Sequence, residues 1–218
     1  MKKLGFTLSE VIIALGIIGI IAAITTPLIG GIIPDKDKVQ VLKYYKVIND
    51  ITQTLVNDTG LYWQPAGVSY VCIGISCIQT PLLPKYSDPN KYFGSRKFQY
   101  LFADHLDLME GPTISRDFKF KTKDGVSWKM SYLSGMGFED GVLHSKHEET
   151  VVVDLNDTKA PNCFYSSSCK KPDQFRFKIN KYGKVTGHDP LTKAYLENPH
   201  KLNDKKADYA RAKELLAN

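Results

Sequence analysis

The chain has 218 residues, enough for an apolar start followed by one compact domain of roughly 150 residues. At 43% hydrophobic and 24% charged residues it is composed like a folded protein, which excludes a disordered or low-complexity chain. Its formal net charge is +6. Lys2 and Lys3 supply two of those charges ahead of the apolar run, and the remainder reads first as a solvated surface, with a nucleic-acid or anionic-polymer patch as the alternative.

From Val11 to Pro34, 24 residues pass without a formal charge. As a helix that run would cross about 30 Å of hydrocarbon. The lysines in front of it predict a cytoplasmic N-terminus with the rest of the chain outside. An ordinary secretory signal would place its apolar region directly behind the lysines and end in an A-x-A-like site. Here Thr7 to Glu10 intervene, and Ala22-Ala23-Ile24 does not fit that pattern. A plain anchor would have no use for Glu10, because an unpaired carboxylate in hydrocarbon costs about 2.5–3.5 kcal/mol even on lenient scales.

The stretch G-F-T-L-S-E-V, Gly5 to Val11 behind a short basic leader, resembles the processing motif of type IV pilins and type II secretion pseudopilins. The resemblance implies a leader of residues 1–5 cut after Gly5 by a prepilin peptidase, with Phe6 as the methylated mature N-terminus. It makes residues 6–34 a membrane and filament-core helix, and 35–218 an exposed pilin-like domain containing an amphipathic helix over 35–57. Implied partners are the peptidase, other pilin or pseudopilin subunits in a homo- or hetero-polymer, an inner-membrane assembly platform and membrane lipid. The implied location is the bacterial inner membrane, single-pass, and then an extracytoplasmic filament. In that setting Glu10 would meet the new ammonium of Phe6 on a neighbouring subunit. Either charge alone is costly in a low-dielectric bundle, so the pair would select the axial register of an incoming subunit.

Gly16 and Gly19 form a small face where helices can approach closely, and Pro27 removes a backbone hydrogen bond and is expected to kink the helix. After Pro34, the residues Val41, Tyr44, Tyr45, Ile48, Ile51, Thr52 and Leu55 recur at helical steps as far as about Asn57. Asp35 and Asp37 suit that helix start, and Gly60 suits its stop. Residues 61–95 read as an irregular connection with a short strand at Tyr70–Ile75. Phe98 to Met109 has helical spacing and stops at Gly111-Pro112. Phe118–Thr122 and Val126–Tyr132 alternate around Lys123-Asp124-Gly125, which predicts a hairpin. Thr150–Leu155 and Phe175–Ile179 read as strands, Asn180–Lys184 as a turn, and the tail from Leu191 as helix-prone. The sum is an α+β fold: a long N-terminal helix, membrane half plus amphipathic half, on a small antiparallel sheet. That is also the pilin layout.

The four cysteines form two close pairs, Cys72/Cys77 and Cys163/Cys169, neither with zinc-ribbon or thioredoxin spacing. An even number behind a membrane signal points to an oxidising compartment, and we expect the bridges Cys72–Cys77 and Cys163–Cys169. No catalytic motif is present, which argues against an enzyme, and no cofactor is expected. His144-Ser-Lys-His147-Glu148-Glu149 reads as a solvated polar loop. Asp154, Asn156, Asp157, Asn162 and Asp173 offer oxygens suited to calcium, although Asx turns and the Pro161 corner joining two strands are the favoured reading. Tyr62, Trp63, Tyr70, Tyr86, Tyr92, Phe93 and Tyr100, interleaved with Lys85, Lys91, Arg96 and Lys97, read first as core and interface. Stacking on nucleic-acid bases or surface sugars by a minor or tip subunit is the alternative function.

Overall fold

A computed structural model describes residues 8–30, 34–63, 75, 80–115, 117–139 and 142–217, with side chains described outside 24–30, 89 and 132–147. It shows an α+β, pilin-like fold with six helices and a six-stranded antiparallel meander among the described residues. Helix α1 (Leu8–Gly30) is apolar on every side. Its helical assignment continues through Pro27, and the following helix begins as a separate element. Asp35 caps that helix, α2 (Lys36–Val56), by accepting from the Asp37 N–H at 3.2 Å. The α2 face bearing Val41, Tyr44, Ile48, Ile51, Thr52 and Leu55 is buried, as its spacing predicts.

A short α3 (Pro89–Tyr92) and then α4 (Lys97–Ala103) follow. The helix expected over Phe98–Met109 therefore ends early. Asp104 caps it, a turn at His105 and Leu106 follows, and the chain enters strand β1 (Leu108–Ile114). The reason is tertiary: β1 finds a pairing partner in β2 (Phe118–Thr122), from Leu108↔Thr122 to Ile114↔Phe118. Met109, which kept the helical spacing, is 62% exposed. Strand β3 (Ser127–Glu139) pairs back on β2 through the Asp-Gly turn, where Gly125 has φ +86°. That left-handed value is the reason a glycine stands there.

Strand β4 (Val142–Asp154) pairs with β3 along its whole length. The polar segment His144–Glu149, expected to be a loop, is thus strand; backbone pairing with β3 decides it where side-chain pattern did not. Strands β5 (Gln174–Ile179) and β6 (Val185–Gly187) complete the sheet, and helices α5 (Pro190–Glu197) and α6 (Lys205–Ala217) end the chain. The short strand expected at Tyr70–Ile75 lies outside the described residues apart from Ile75, which is buried and bonds its N–H to the Lys181 carbonyl.

All the packed helices lie on one face of the sheet. Phe118, Phe120, Trp128, Met130, Val151, Val153, Phe175, Phe177 and Ile179 point into the core. Tyr44 meets Trp128 edge-on at 5.5 Å between ring centres, Tyr45 stacks near Phe177, and Tyr195 of α5 stacks on Phe175. The strand residues between these, among them Lys119, Lys121, Lys129 and Lys178, lie on the opposite, polar face.

Candidate assembly site

Helix α1 stands apart from this core. Between Leu8 and Ala23 every residue is exposed, with Leu8 at 79%, Ile12 at 61%, Leu15 at 63% and Ile20 at 64%. Residues of this type cover one another in a folded chain, and here the chain's own domain does not reach them. A helix apolar all round needs an apolar environment from outside, either lipid or other helices. Counting only described residues, no helix is long and apolar enough to cross a membrane.

Two glycines sharpen the point. A Cβ built on Gly16 or Gly19 would meet nothing within 4 Å. Each glycine costs a helix about 0.8–1.0 kcal/mol against alanine, and no contact within this chain requires either one. Glu10 sits in the first turn of α1, where a carboxylate also suits the positive end of the helix dipole. Gly5 and Phe6 lie outside the described residues, as do the side chain of Pro27 and the cysteines Cys72 and Cys77.

The junction between α1 and the domain is held from the far end of the sequence. Lys38, fully buried on α2, donates to the Asp208 carboxylate of α6 at 2.7 Å and to the Lys201 carbonyl at 2.9 Å. Burial pushes the Asp208 carboxyl up, and the Lys38 ammonium opposes that. Asp35 accepts from the Tyr195 hydroxyl at 3.2 Å, and Lys205 lies 3.4 Å from the same carboxylate. The start of α2, immediately after the apolar run, is therefore fixed by α5 and α6.

The oxygen-rich segment after β4 is mostly engaged internally, although the Asn156 side-chain oxygen is buried without a hydrogen-bond partner. Asp154 accepts from Gln174 at 2.9 Å and from the Asn156 N–H at 3.2 Å. Asp157 accepts from Lys121 at 2.8 Å and from the Ser127 hydroxyl, and these partners hold its carboxyl below the usual range. Asp173 takes the N–H groups of Asn162 and Cys163, both at 2.9 Å. The Asn162 amide itself donates to the Thr158 carbonyl. Asp157 and Asn162 occupy left-handed backbone positions at φ +63° and +47°, where Asx side chains are well tolerated. Among the described residues no group of three or more His, Cys, Asp and Glu is placed to hold a metal ion. The loop is closed by a Cys163–Cys169 disulfide, as expected.

Most of the aromatic stretch turns inward, although Phe93 stays 47% exposed. Tyr86 and Tyr92 are buried edge to face at 5.0 Å, and Tyr100 packs on Phe118. Lys85 and Lys91 lie over these tyrosines and Lys97 over the Tyr62 ring. These rings are already covered by the chain's own cations and core, and Tyr70 lies outside the described residues. Sequence reasoning also missed two buried ionisable groups, Lys97 and Glu149, because a single charge in an α-helix or a strand carries no pattern.

Residues 1–26 match the family model of the prokaryotic N-terminal methylation motif, which supports the type IV pilin and pseudopilin family. No curated protein matches the chain. No solved structure matches it either.

Proposed function

We propose that this chain, a pilin-type precursor by its N-terminal methylation motif, is a structural subunit that polymerises through α1 into a type IV pilus or a type II secretion pseudopilus. The observation that carries this reading is the unclothed apolar surface of Leu8–Ala23. Before assembly, lipid would cover it; in the filament, the same helices of neighbouring subunits would. The precursor is membrane-anchored with its N-terminus cytoplasmic and its domain outside. Prepilin peptidase removes residues 1–5, Phe6 is methylated, and the assembly platform extracts the subunit. The motif suggests a structural subunit and not an enzyme.

In this account the chemistry of assembly is charge pairing in a low-dielectric bundle. The Phe6 ammonium of one subunit meets the Glu10 carboxylate of another, and an off-register neighbour leaves both charges unpaired. Gly16 and Gly19 let the helix backbones approach. The test is Glu10→Gln, which keeps the shape and removes the charge. Expression, leader cleavage and thermal unfolding of the exposed domain should match the parent, while filament yield in the sheared fraction falls sharply. Parent-like filament yield at equal expression would refute the pairing mechanism.

A further inference from the structure

Glu149 lies at a structural joint. β4 continues toward its partner β3 beyond the rest of the sheet, because β2 pairs with β3 only over 127–130 and β5 pairs with β4 only over 149–154. Glu149, opposite Ile179, is the last rung of β4 that pairs with β5 before β3 and β4 continue as a two-stranded ribbon. Its side chain is fully buried on the core face. There it meets α4 and the turn after α2.

The surroundings do not suit a carboxylate. Gln99 of α4 donates to one carboxyl oxygen at 2.7 Å, and the other oxygen is buried without a hydrogen-bond partner. The Tyr62 hydroxyl, also buried without a partner, lies within electrostatic range. Arg96 contributes only at a distance. The buried Lys97 is directed elsewhere: it donates to the Leu61 carbonyl and covers the Tyr62 ring. Glu148 and Lys178 pair with each other at 2.6 Å on the other side of the sheet. Tyr132 is the β3 rung opposite Glu149. An ionised carboxylate with one hydrogen bond in such a place is strongly disfavoured, whereas a neutral acid gains a donor that can serve the oxygens around it.

We propose that Glu149 is held as a neutral carboxylic acid and acts as a proton-operated latch, tying α4 to β4 at the root of the β3–β4 ribbon. Loss of the proton places an uncompensated charge in the joint and loosens it. Burial pushes this carboxyl up to about 8, with the Gln99 hydrogen bond opposing. The unfolded chain holds the same proton with a pKa of about 4.3. The folded state therefore binds more protons between those values, so stability falls as pH rises through that window and levels off above about 8. Lys97 runs the other way, since burial lowers it to about 8 and its neutralisation favours the folded state above that pH. The domain is outside the membrane on the proposed topology, where pH follows the medium; that consequence alone rests on the filament-subunit reading.

The experiment compares detergent-extracted parent with Glu149→Gln, in which Lys97 is common and cancels. The Tm of the parent should fall relative to that of Glu149→Gln by at least about 4 °C between pH 5 and pH 8.5. Backbone amide exchange over 97–103, corrected for intrinsic pH dependence, should accelerate with pH in the parent alone. Parallel Tm curves, or exchange in α4 that stays level, would overturn the latch. Should Glu149→Gln fail to fold, the parent decides alone. Carbon-detected titration of the Glu149 carboxyl must give a midpoint well above the ordinary carboxylate range, and an ordinary midpoint would overturn the proposal.

Discussion

Lys38 shows how one residue can be legible in position and illegible in role. It precedes the apolar stripe of α2 by three residues and would pass for surface, yet it is 0% exposed and bridges to Asp208, 170 positions away. Removing one partner of such a pair strands the other charge in the core, which costs about 3–5 kcal/mol. Lys38→Met should therefore lower the unfolding free energy by about that amount in denaturant titrations. Adding Asp208→Leu should recover most of the loss, since the stranded charge is then gone as well. If the double variant is no more stable than the single, the penalty is lost packing and not a stranded carboxylate. Glu10 is the opposite case. Its place beside Phe6 in the motif is readable from the sequence, while its partner would belong to another molecule.

At the scale of elements, closeness of approach is what fixes the C-terminal half. A Cβ on Gly187 of β6 would fall 2.8 Å from the Lys193 backbone nitrogen and 3.0 Å from the Lys193 Cα. Backbone cannot yield cheaply there, so Gly187→Ala should push α5 off the sheet at a cost of about 1–3 kcal/mol, read as a lower Tm. An unchanged Tm would mean that α5 shifts freely. The Cys163–Cys169 bridge closes a short loop, and its loss should cost about 2 kcal/mol on the chain-entropy account. Cys163→Ser/Cys169→Ser, compared with the oxidised parent by chemical denaturation, measures it directly. Equal midpoints would place the constraint in the Asp173 hydrogen bonds instead.

These elements also mark the limit of pattern reading. The amphipathic face of α2 and the Asp-Gly hairpin were legible because one periodicity and one turn chemistry each sufficed. The end of α4 was not, since Leu106 and Met109 kept helical spacing by chance while β1 was decided by pairing with β2. The His144–Glu149 segment was misread for a related reason: its strand character comes from a partner 7 to 17 residues earlier in the chain, not from its own alternation. The edge strand β6 is three residues long and has no sequence signal of its own. Glu149 and Lys97 are buried by tertiary packing that no local pattern announces.

Taken whole, the molecule divides into a domain that covers its own apolar core and a helix that does not. The domain covers its sheet on one face with α2, α4 and α5 and ties its two chain ends together through Lys38 and Asp208. Helix α1 leaves its apolar side chains to be covered by something else, which is the physical basis for reading the chain as a polymerising subunit. That reading depends on the precursor being cut at a defined bond, because the cut creates the Phe6 ammonium that Glu10 would meet on a neighbouring subunit. The decisive measurement is mass spectrometry of the N-terminal peptide from protein recovered in the sheared filament or membrane fraction. The account predicts a peptide beginning at Phe6 and carrying an N-methyl group. A peptide retaining Met1 to Gly5 in assembled material would contradict it.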